Sequence, residues 1–225
     1  MRSPNFGPRR DGLKPELVVI HYTAMTSCEA AHERLCDASA EVSAHWLIGG
    51  DGGVFSLVDE AERAWHAGAG SWQGRCDVNS RSIGIELANR GNHPFAEPQI
   101  AALEDLLRGI MSRWAIAPEG IIGHSDMAPG RKIDPGPRFD WRRLARQGLS
   151  IWPDERAADI APDPRVFMAL AQSFGYPDAA FETVLAAFRL RFRPLATGEL
   201  AAQDMAIIAD LAARFGVDGD QWRAS

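Results

Sequence analysis

The run from Glu16 to Tyr22 constrains the fold more than any other part of the chain. Its apolar residues are consecutive and β-branched rather than alternating with polar ones, which is typical of a strand buried on both faces. Such a strand lies inside a sheet whose two faces are both covered. Gly120 to His124 has the same character, so we expect a further buried strand there.

The other patterns between residues 15 and 150 mix strands with helices. We expect helices at Ser27 to Asp37, Pro98 to Trp114 and Phe139 to Gln147, a hairpin of His45 to Ile48 with Val54 to Val58, and a strand at Ser82 to Ala88. Alternation along that last strand places Glu86 on the face of Ser82, either in solvent or in a cleft. The predicted fold class is α/β (α+β), with a central mixed β-sheet flanked by helices.

The composition changes in residues 151–164, where prolines interrupt an acidic segment. This change predicts a linker. Helical patterns follow at Val166 to Phe174, Ala179 to Phe192 and Glu199 to Phe215. We therefore expect a main domain in residues 1–150, a linker in 151–164 and a small C-terminal three-helix bundle in 165–225.

Charge and hydropathy exclude several classes of partner. The net charge is −6 and no Lys/Arg cluster is present, which argues against binding nucleic acid. No apolar stretch is long enough to span a membrane, and the first apolar run is too short for a signal peptide. The three cysteines form an odd set without metal-finger spacing. These features predict a cytoplasmic protein with no membrane partner.

The loop from Gly123 to Gly136 concentrates residues with chemical potential. His124 and Asp134 could coordinate zinc, and Lys132 lies beside them in sequence. Catalytic zinc usually takes three protein ligands and leaves one position for water. The best candidate for the third ligand is His21, at the end of the first buried strand.

Hydrolysis of an amide at zinc also needs a carboxylate to move protons and a cation for the oxyanion. Glu86 is the candidate base, and Lys132 is the candidate cation. Taken singly, each residue has a simpler interpretation. A histidine that ends a buried strand is usually structural, while Glu86 and Lys132 could be ordinary surface charges.

Five sequence blocks occur in an order that resembles a known family. They are Val18-Val19-Ile20-His21-Tyr22, Ser43-Ala44-His45-Trp46-Leu47-Ile48, Ala64-Trp65-His66-Ala67-Gly68, Ser82-Ile83-Gly84-Ile85-Glu86, and Gly123-His124-Ser125-Asp126 through Lys132-Ile133-Asp134-Pro135-Gly136. Together they resemble the zinc-dependent N-acetylmuramoyl-L-alanine amidases of type 2, relatives of the peptidoglycan recognition proteins. The resemblance covers roughly residues 15 to 150.

This resemblance implies a zinc enzyme that cuts the amide bond between N-acetylmuramic acid and the L-alanine of the stem peptide. It places the zinc ligands at His21, His124 and Asp134, the catalytic carboxylate at Glu86 and the transition-state lysine at Lys132. The family pattern is thus intact for catalysis, and residues 1–150 would form the zinc amidase domain.

The substrate-binding residues are less sharply indicated. Arg75 and Asn79 match a family segment that lines the peptide groove, and Arg75 could hold a stem-peptide carboxylate. His66 could line the cleft, support a metal ligand or fill space beside Trp65. Residues 165–225 resemble the helical peptidoglycan-binding-like module of some of these amidases.

The leading hypothesis is a cytoplasmic amidase of peptidoglycan recycling, whose substrates would be muropeptides, in particular those with the 1,6-anhydro sugar. One alternative is a phage-type endolysin amidase that acts on intact cell wall. Another is a non-catalytic peptidoglycan receptor, which the complete ligand set and Glu86 disfavour. The sequence leaves the oligomeric state open.

Overall fold

The structure, a computed structural model, describes residues 1–154 and 160–217. Its strands are β1 (Phe6–Gly7), β2 (Leu17–Tyr22), β3 (Trp46–Ile48), β4 (Val54–Ser56), β5 (Arg63–Ala64), β6 (Ser82–Leu87) and β7 (Ile121–Gly123). Its helices are α1 (Cys28–Cys36), α2 (Val78–Arg81), α3 (Glu97–Trp114), α4 (His124–Met127), α5 (Trp141–Arg146), α6 (Pro164–Phe174), α7 (Phe181–Phe192) and α8 (Ala202–Phe215).

A five-stranded mixed sheet forms the centre of the fold, in the order β4-β3-β6-β2-β7. Strand β2 runs parallel to both of its neighbours, β6 and β7, and β3 runs parallel to β6. Only the hairpin partner β4 is antiparallel within this sheet. A separate two-stranded ribbon joins β1 to β5. The predicted fold class, a mixed sheet flanked by helices, is confirmed.

Strand β2 is buried on both faces, as its uninterrupted apolar run predicts. Val18 and Ile20 pack into a cluster that contains Leu103 and Leu107 of α3. Leu17 and Val19 point to the opposite face and pack into a second cluster, which includes residues of α6, α7 and α8. Because each face meets a different set of helices, β2 has no polar side along these residues.

Several predicted boundaries move by a few residues, and the prediction that His124 ends the strand from Gly120 is wrong, because His124 begins α4. Two of the boundary changes have local reasons. The strand expected to reach Val58 ends at Ser56, because β4 is an exposed edge strand held by β3 alone. The helix expected from Phe139 begins at Trp141. Asp140 caps it, since its carboxylate accepts a hydrogen bond of 2.9 Å from the backbone N–H of Arg143.

The C-terminal helices lie against the sheet. Phe167 of α6 and Phe188 of α7 belong to the same buried cluster as Val19 and Ile122 of the sheet. The predicted linker and bundle extend into residues 155–159 and 218–225, which lie outside the described residues. The division into 1–150, 151–164 and 165–225 therefore stays a prediction. Among the described residues, no helix combines the length and the apolar character that a bilayer crossing requires.

Candidate active site

The carboxyl ends of the parallel strands bring the predicted catalytic residues together. His21 lies near the end of β2, Glu86 is its register partner on β6, and His124 directly follows β7. Parallel neighbours end at the same edge of a sheet, which is where α/β proteins place their sites. Asp134 arrives from the loop after α4, whose course is fixed by a 3.0 Å hydrogen bond from Ser125 N–H to the Asp134 carbonyl.

Three predicted metal ligands converge on one point. His21 Nδ1 lies 2.9 Å from His124 Nδ1, and Asp134 Oδ2 lies 2.9 Å from the first nitrogen and 3.0 Å from the second. All three residues are buried. The structure thus assembles one carboxylate oxygen and two ring nitrogens from three distant segments into a group that could hold a metal ion.

Hydrogen bonding fixes the tautomer of His124. Its Nε2 lies 2.8 Å from the carbonyl oxygen of Ala67, which can only accept. The ring therefore carries its proton on Nε2 when it is neutral, and the Nδ1 lone pair points to Asp134 and His21. A carbonyl acceptor behind a histidine is the usual support of a metal ligand.

A longer chain of hydrogen bonds fixes His21 in the same way. Ser82 Oγ donates to the Val78 carbonyl at 2.6 Å and is therefore free to accept from His66 Nε2, which lies 3.2 Å away. His66 Nδ1 then accepts from His21 Nε2 at 3.0 Å. This arrangement leaves the Nδ1 lone pair of His21 directed at the ligand group.

Ionisation states agree with this arrangement. Burial, with the neighbouring His124, lowers the pKa of His21 to about 4, so the ring is neutral near pH 7. Burial alone would raise the pKa of Asp134, but the adjacent rings of His124 and His21 outweigh it and hold the pKa well below its usual range. Neutral imidazoles and an ionised carboxylate are the donors that zinc takes in catalytic sites, so the residues fit the metal that the family implies.

Glu86 and Lys132 share an open cleft with this group. The cleft encloses about 540 Å³ and is also lined by Trp65, Arg34 and Met25. Glu86 Oε2 is buried without a hydrogen-bond partner among the described residues. Burial and the nearby Asp134 carboxylate raise the pKa of Glu86 to about 8, although Lys132 opposes the rise. An unpartnered carboxylate beside a ligand group is available to exchange protons.

The three predicted substrate-binding residues lie in different surroundings. His66 lines the cleft and supports His21. Asn79 is buried, and its side-chain oxygen accepts hydrogen bonds from the backbone N–H groups of His66 and Ala67 at 3.1 and 2.8 Å. Arg75 does not line the cleft and forms a 2.6 Å ion pair with Glu16. Substrate contact by Arg75 and Asn79 stays a prediction without support from this geometry.

The sequence analysis did not identify the residues whose hydrogen bonds orient the candidate metal ligands His21 and His124. Ser82 ends the chain that orients His21, and Arg131 donates to the carbonyl of Ala67, the same oxygen that orients His124. A signal for Ser82 was present, because it shares a strand face with Glu86 inside a matched block. No local pattern indicates Arg131, whose partner lies 64 positions earlier in the chain.

The chain is similar to known proteins along most of its length. The family profile described as N-acetylmuramoyl-L-alanine amidase matches residues 11–137. The chain belongs to this amidase family. It is 37% identical to the N-acetylmuramoyl-L-alanine amidase AmiD of Escherichia coli, over 90% of this chain and 84% of AmiD. It is 35% identical to the 1,6-anhydro-N-acetylmuramyl-L-alanine amidase AmpD of Haemophilus influenzae, over 64% of this chain and 88% of AmpD.

Solved structures agree. The complex of Escherichia coli AmiD with the substrate anhydro-N-acetylmuramic acid-L-Ala-D-gamma-Glu-L-Lys superposes with a TM-score of 0.82 at 36% identity, covering 97% of this chain and 94% of AmiD. AmpDh3 of Pseudomonas aeruginosa, in complex with anhydromuramic pentapeptide, gives a TM-score of 0.83 at 30% identity and covers 96% of both chains. The predicted enzyme class is confirmed: this amidase is an N-acetylmuramoyl-L-alanine amidase. Its similarity to AmiD and AmpDh3 includes the C-terminal helices.

Proposed function

We propose that this amidase uses zinc, held by His21, His124 and Asp134, to hydrolyse the bond between N-acetylmuramic acid and L-alanine in 1,6-anhydro muropeptides. One observation carries the zinc assignment. The three ligand atoms lie 2.9 to 3.0 Å apart, with lone pairs directed at one point, beside an unpartnered carboxylate in an open cleft.

When bound, zinc supplies a Lewis acid that polarises the scissile carbonyl and acidifies a water. Glu86 Oε2 takes the proton from the attacking water and delivers it to the departing alanine nitrogen. Burial and the Asp134 carboxylate raise the pKa of Glu86 from its ordinary value toward the pH at which both transfers are effective. His66 and Ala67 keep the ligand rings in the tautomers that leave Nδ1 free.

Lys132 supplies positive charge at the same cleft. Its backbone N–H donates to the Ala128 carbonyl at 3.0 Å, which holds the loop while the side chain remains exposed. An ammonium group there stabilises the negative oxygen of the tetrahedral intermediate. Removing the Lys132 ammonium group should lower kcat and leave the three proposed metal ligands in place.

The substrate form rests on the relatives. AmiD and AmpDh3 were solved with anhydromuramyl peptides, and AmpD is named for the 1,6-anhydro sugar. These names support soluble muropeptide fragments as the substrate class. We also propose that the enzyme acts in the cytoplasm, as part of peptidoglycan recycling. The phage-type alternative differs in its substrate, which is intact wall, and the receptor alternative lacks support because the chain belongs to an enzyme family.

Turnover of three substrates tests the proposal: a 1,6-anhydro muropeptide, the corresponding reducing muropeptide and intact sacculi, each with zinc present. We expect release of free stem peptide, fastest from the anhydro fragment. Glu86→Gln should lose at least about 100-fold in kcat while it binds zinc as the wild type does. Faster cleavage of sacculi would favour the endolysin alternative, and unchanged kcat in Glu86→Gln would remove Glu86 from the mechanism.

A further inference from the structure

A buried carboxylate next to a metal ligand connects the catalytic edge to the C-terminal helices. Asp126, two positions after His124, is fully buried in α4. Its Oδ2 accepts hydrogen bonds from the Gly123 N–H and from Arg191 Nη1 of α7, both at 2.8 Å. Its Oδ1 accepts from the Tyr176 hydroxyl at 2.9 Å. Two of these three donors belong to the C-terminal region.

Arg191 extends this connection to other elements of the site. Its Nη2 donates to the carbonyl of Ile121 in β7 at 3.0 Å and to Ser150 Oγ at 3.2 Å, and its guanidinium lies 4.3 Å from the centre of the Trp141 ring. The side chain is only 2% exposed. A guanidinium buried to this degree is costly unless its partners are held in place, so these contacts fix β7 and α4 relative to α7.

The constrained segment carries His124. Helix α4 begins at His124 and is only four residues long, and the Asp126 side chain caps its start. The Asp126 carboxylate holds the N–H of Gly123, the residue immediately before the ligand. A side chain at Gly123 would come within 2.9 Å of Pro135, next to the ligand Asp134, so the two ligand segments are also packed closely. A small shift of α4 therefore moves Nδ1 of His124 away from its partners.

We propose that Arg191 and Tyr176 are positioning residues that hold the ligand His124 through Asp126, so that the C-terminal helices are part of the catalytic unit. The inference rests on the zinc site proposed above, because it concerns the place of one of its ligands. It assigns these helices a role at the reaction centre in addition to any contact with substrate.

A second buried ion pair provides a matched control. Arg189 lies two positions before Arg191 on α7, and so on a different face of that helix. It donates to Asp204 Oδ2 at 2.6 Å, and Asp204 is fully buried. Arg189 also donates from Nε to Asp204 Oδ1 at 3.2 Å and to the carbonyls of Gly198 and Glu199. Among the described residues, the hydrogen bonds of this pair stay within residues 189–204 and do not reach α4 or β7. Its loss should destabilise the helices without moving His124.

The test compares Arg191→Met, Arg191→Lys, Tyr176→Phe and Arg189→Met. The metal-free proteins are titrated with zinc in competition with a chromophoric chelator, and their stability is measured by urea unfolding. Under conditions in which each metal-free variant is fully folded, global stability alone does not change the zinc dissociation constant. Supporting partners of metal ligands typically contribute 10- to 100-fold in affinity.

We expect Arg191→Met to weaken zinc binding by about 10-fold or more, Tyr176→Phe to weaken it by about 3-fold and Arg191→Lys to restore part of the loss. Arg189→Met should lose stability and keep wild-type affinity. Wild-type affinity in both Arg191→Met and Tyr176→Phe would overturn the proposal, as would an equal loss in Arg189→Met. If Arg191→Met does not fold, Tyr176→Phe decides. A wild-type enzyme that binds zinc but cleaves no muropeptide would contradict the proposed function only.

Discussion

Ser82 is the last side chain in the row of hydrogen bonds that orients His21. Its hydroxyl accepts from His66 Nε2 because its own proton is committed to the Val78 carbonyl. Without that acceptor, His66 can carry its proton on Nδ1, the nitrogen that faces His21. His21 would then lose the partner that keeps its own Nδ1 unprotonated.

We therefore expect Ser82→Ala to weaken zinc affinity by about 10-fold. The measurement is a competition titration, together with nitrogen NMR shifts that report the tautomer of His66. Ser43→Ala is the control, because Ser43 is an equally buried serine whose hydroxyl contacts the backbone of Asn5 and Trp65 but no histidine. Equal affinities for Ser82→Ala and the wild type would contradict the proposed chain of hydrogen bonds.

At this scale the sequence predicted the group that could hold a metal ion better than the residues around it. His21, His124 and Asp134 fall inside matched blocks, and their types are those that zinc requires. Arg75 matches a family segment outside these blocks, yet it pairs with Glu16, a residue 59 positions away. A partner at that separation depends on the register of β2 with β6, which no local pattern specifies.

Among the elements, β6 explains how His66 approaches the sheet. An added Cβ at Gly84 would overlap the His66 ring, so only glycine leaves room for the imidazole against the strand. We expect Gly84→Ala to cost about 1–3 kcal/mol of unfolding free energy and to weaken zinc binding by displacing His66. Urea unfolding and zinc titration measure the two effects.

Gly50→Ala is the control for that substitution, because a Cβ at Gly50 meets no atom within 4 Å. It should change neither quantity by more than about 0.5 kcal/mol. If Gly84→Ala matched this control, the ring of His66 would not be packed against β6 as the structure has it.

Glu60 fastens the end of α3 to the loop after β4. Its carboxylate accepts from Arg113 Nη2 at 2.7 Å and from Trp114 Nε1 and Trp46 Nε1 at 2.6 and 3.0 Å. Burial alone would raise the pKa of Glu60, but these hydrogen bonds outweigh it and lower the pKa below 4.5. A lowered pKa adds stability that is fully present above the unfolded-state pKa and is lost as the pH falls through the folded-state pKa.

Glu60→Gln should therefore reduce the unfolding free energy by about 2 kcal/mol at pH 7 and flatten its decline below pH 4.5. Urea unfolding at pH values from about 3 to about 7 measures both the unfolding free energy and its decline at low pH. Asp105→Asn is the control, since Asp105 is largely exposed and pairs only with Arg108 on the same helix. If the unfolding free energy of Glu60→Gln fell with decreasing pH as steeply as that of the wild type, this account would be contradicted.

The longer strands and helices were predictable because their periodicity is local, whereas the short elements β1, β5, α2 and α4 were not predicted. The continuous run of β2 and the stripe of α3 each follow from a few neighbouring residues. The order β4-β3-β6-β2-β7 is not local, because it depends on which faces each strand must cover. The sheet order, unlike its elements, needed the structure.

At the scale of the whole molecule, the sheet has one apolar face that the catalytic region does not cover by itself. Leu17, Val19 and Ile122 point to this face, where they meet Phe174 and Phe188 of the C-terminal helices. The composition of residues 151–164 predicts a linker, and a linker suggests an appendage. The composition of a segment indicates only its local stiffness and polarity. Whether the C-terminal helices share a buried core with the sheet depends on surfaces that are distant in sequence.

A chain that ends at residue 154 should therefore fail to form a stable zinc site. Its truncation uncovers Val19, Ile122 and Met127, which are fully buried in the complete protein, and leaves Asp126 without Arg191. We expect an aggregating or unfolded product by circular dichroism and gel filtration. In the control, a protease site replaces residues 155–159 and is cut after folding. Both pieces should then remain associated and bind zinc, because contacts rather than the covalent link hold them. A soluble 1–154 fragment with wild-type zinc affinity would show that the C-terminal helices are separable.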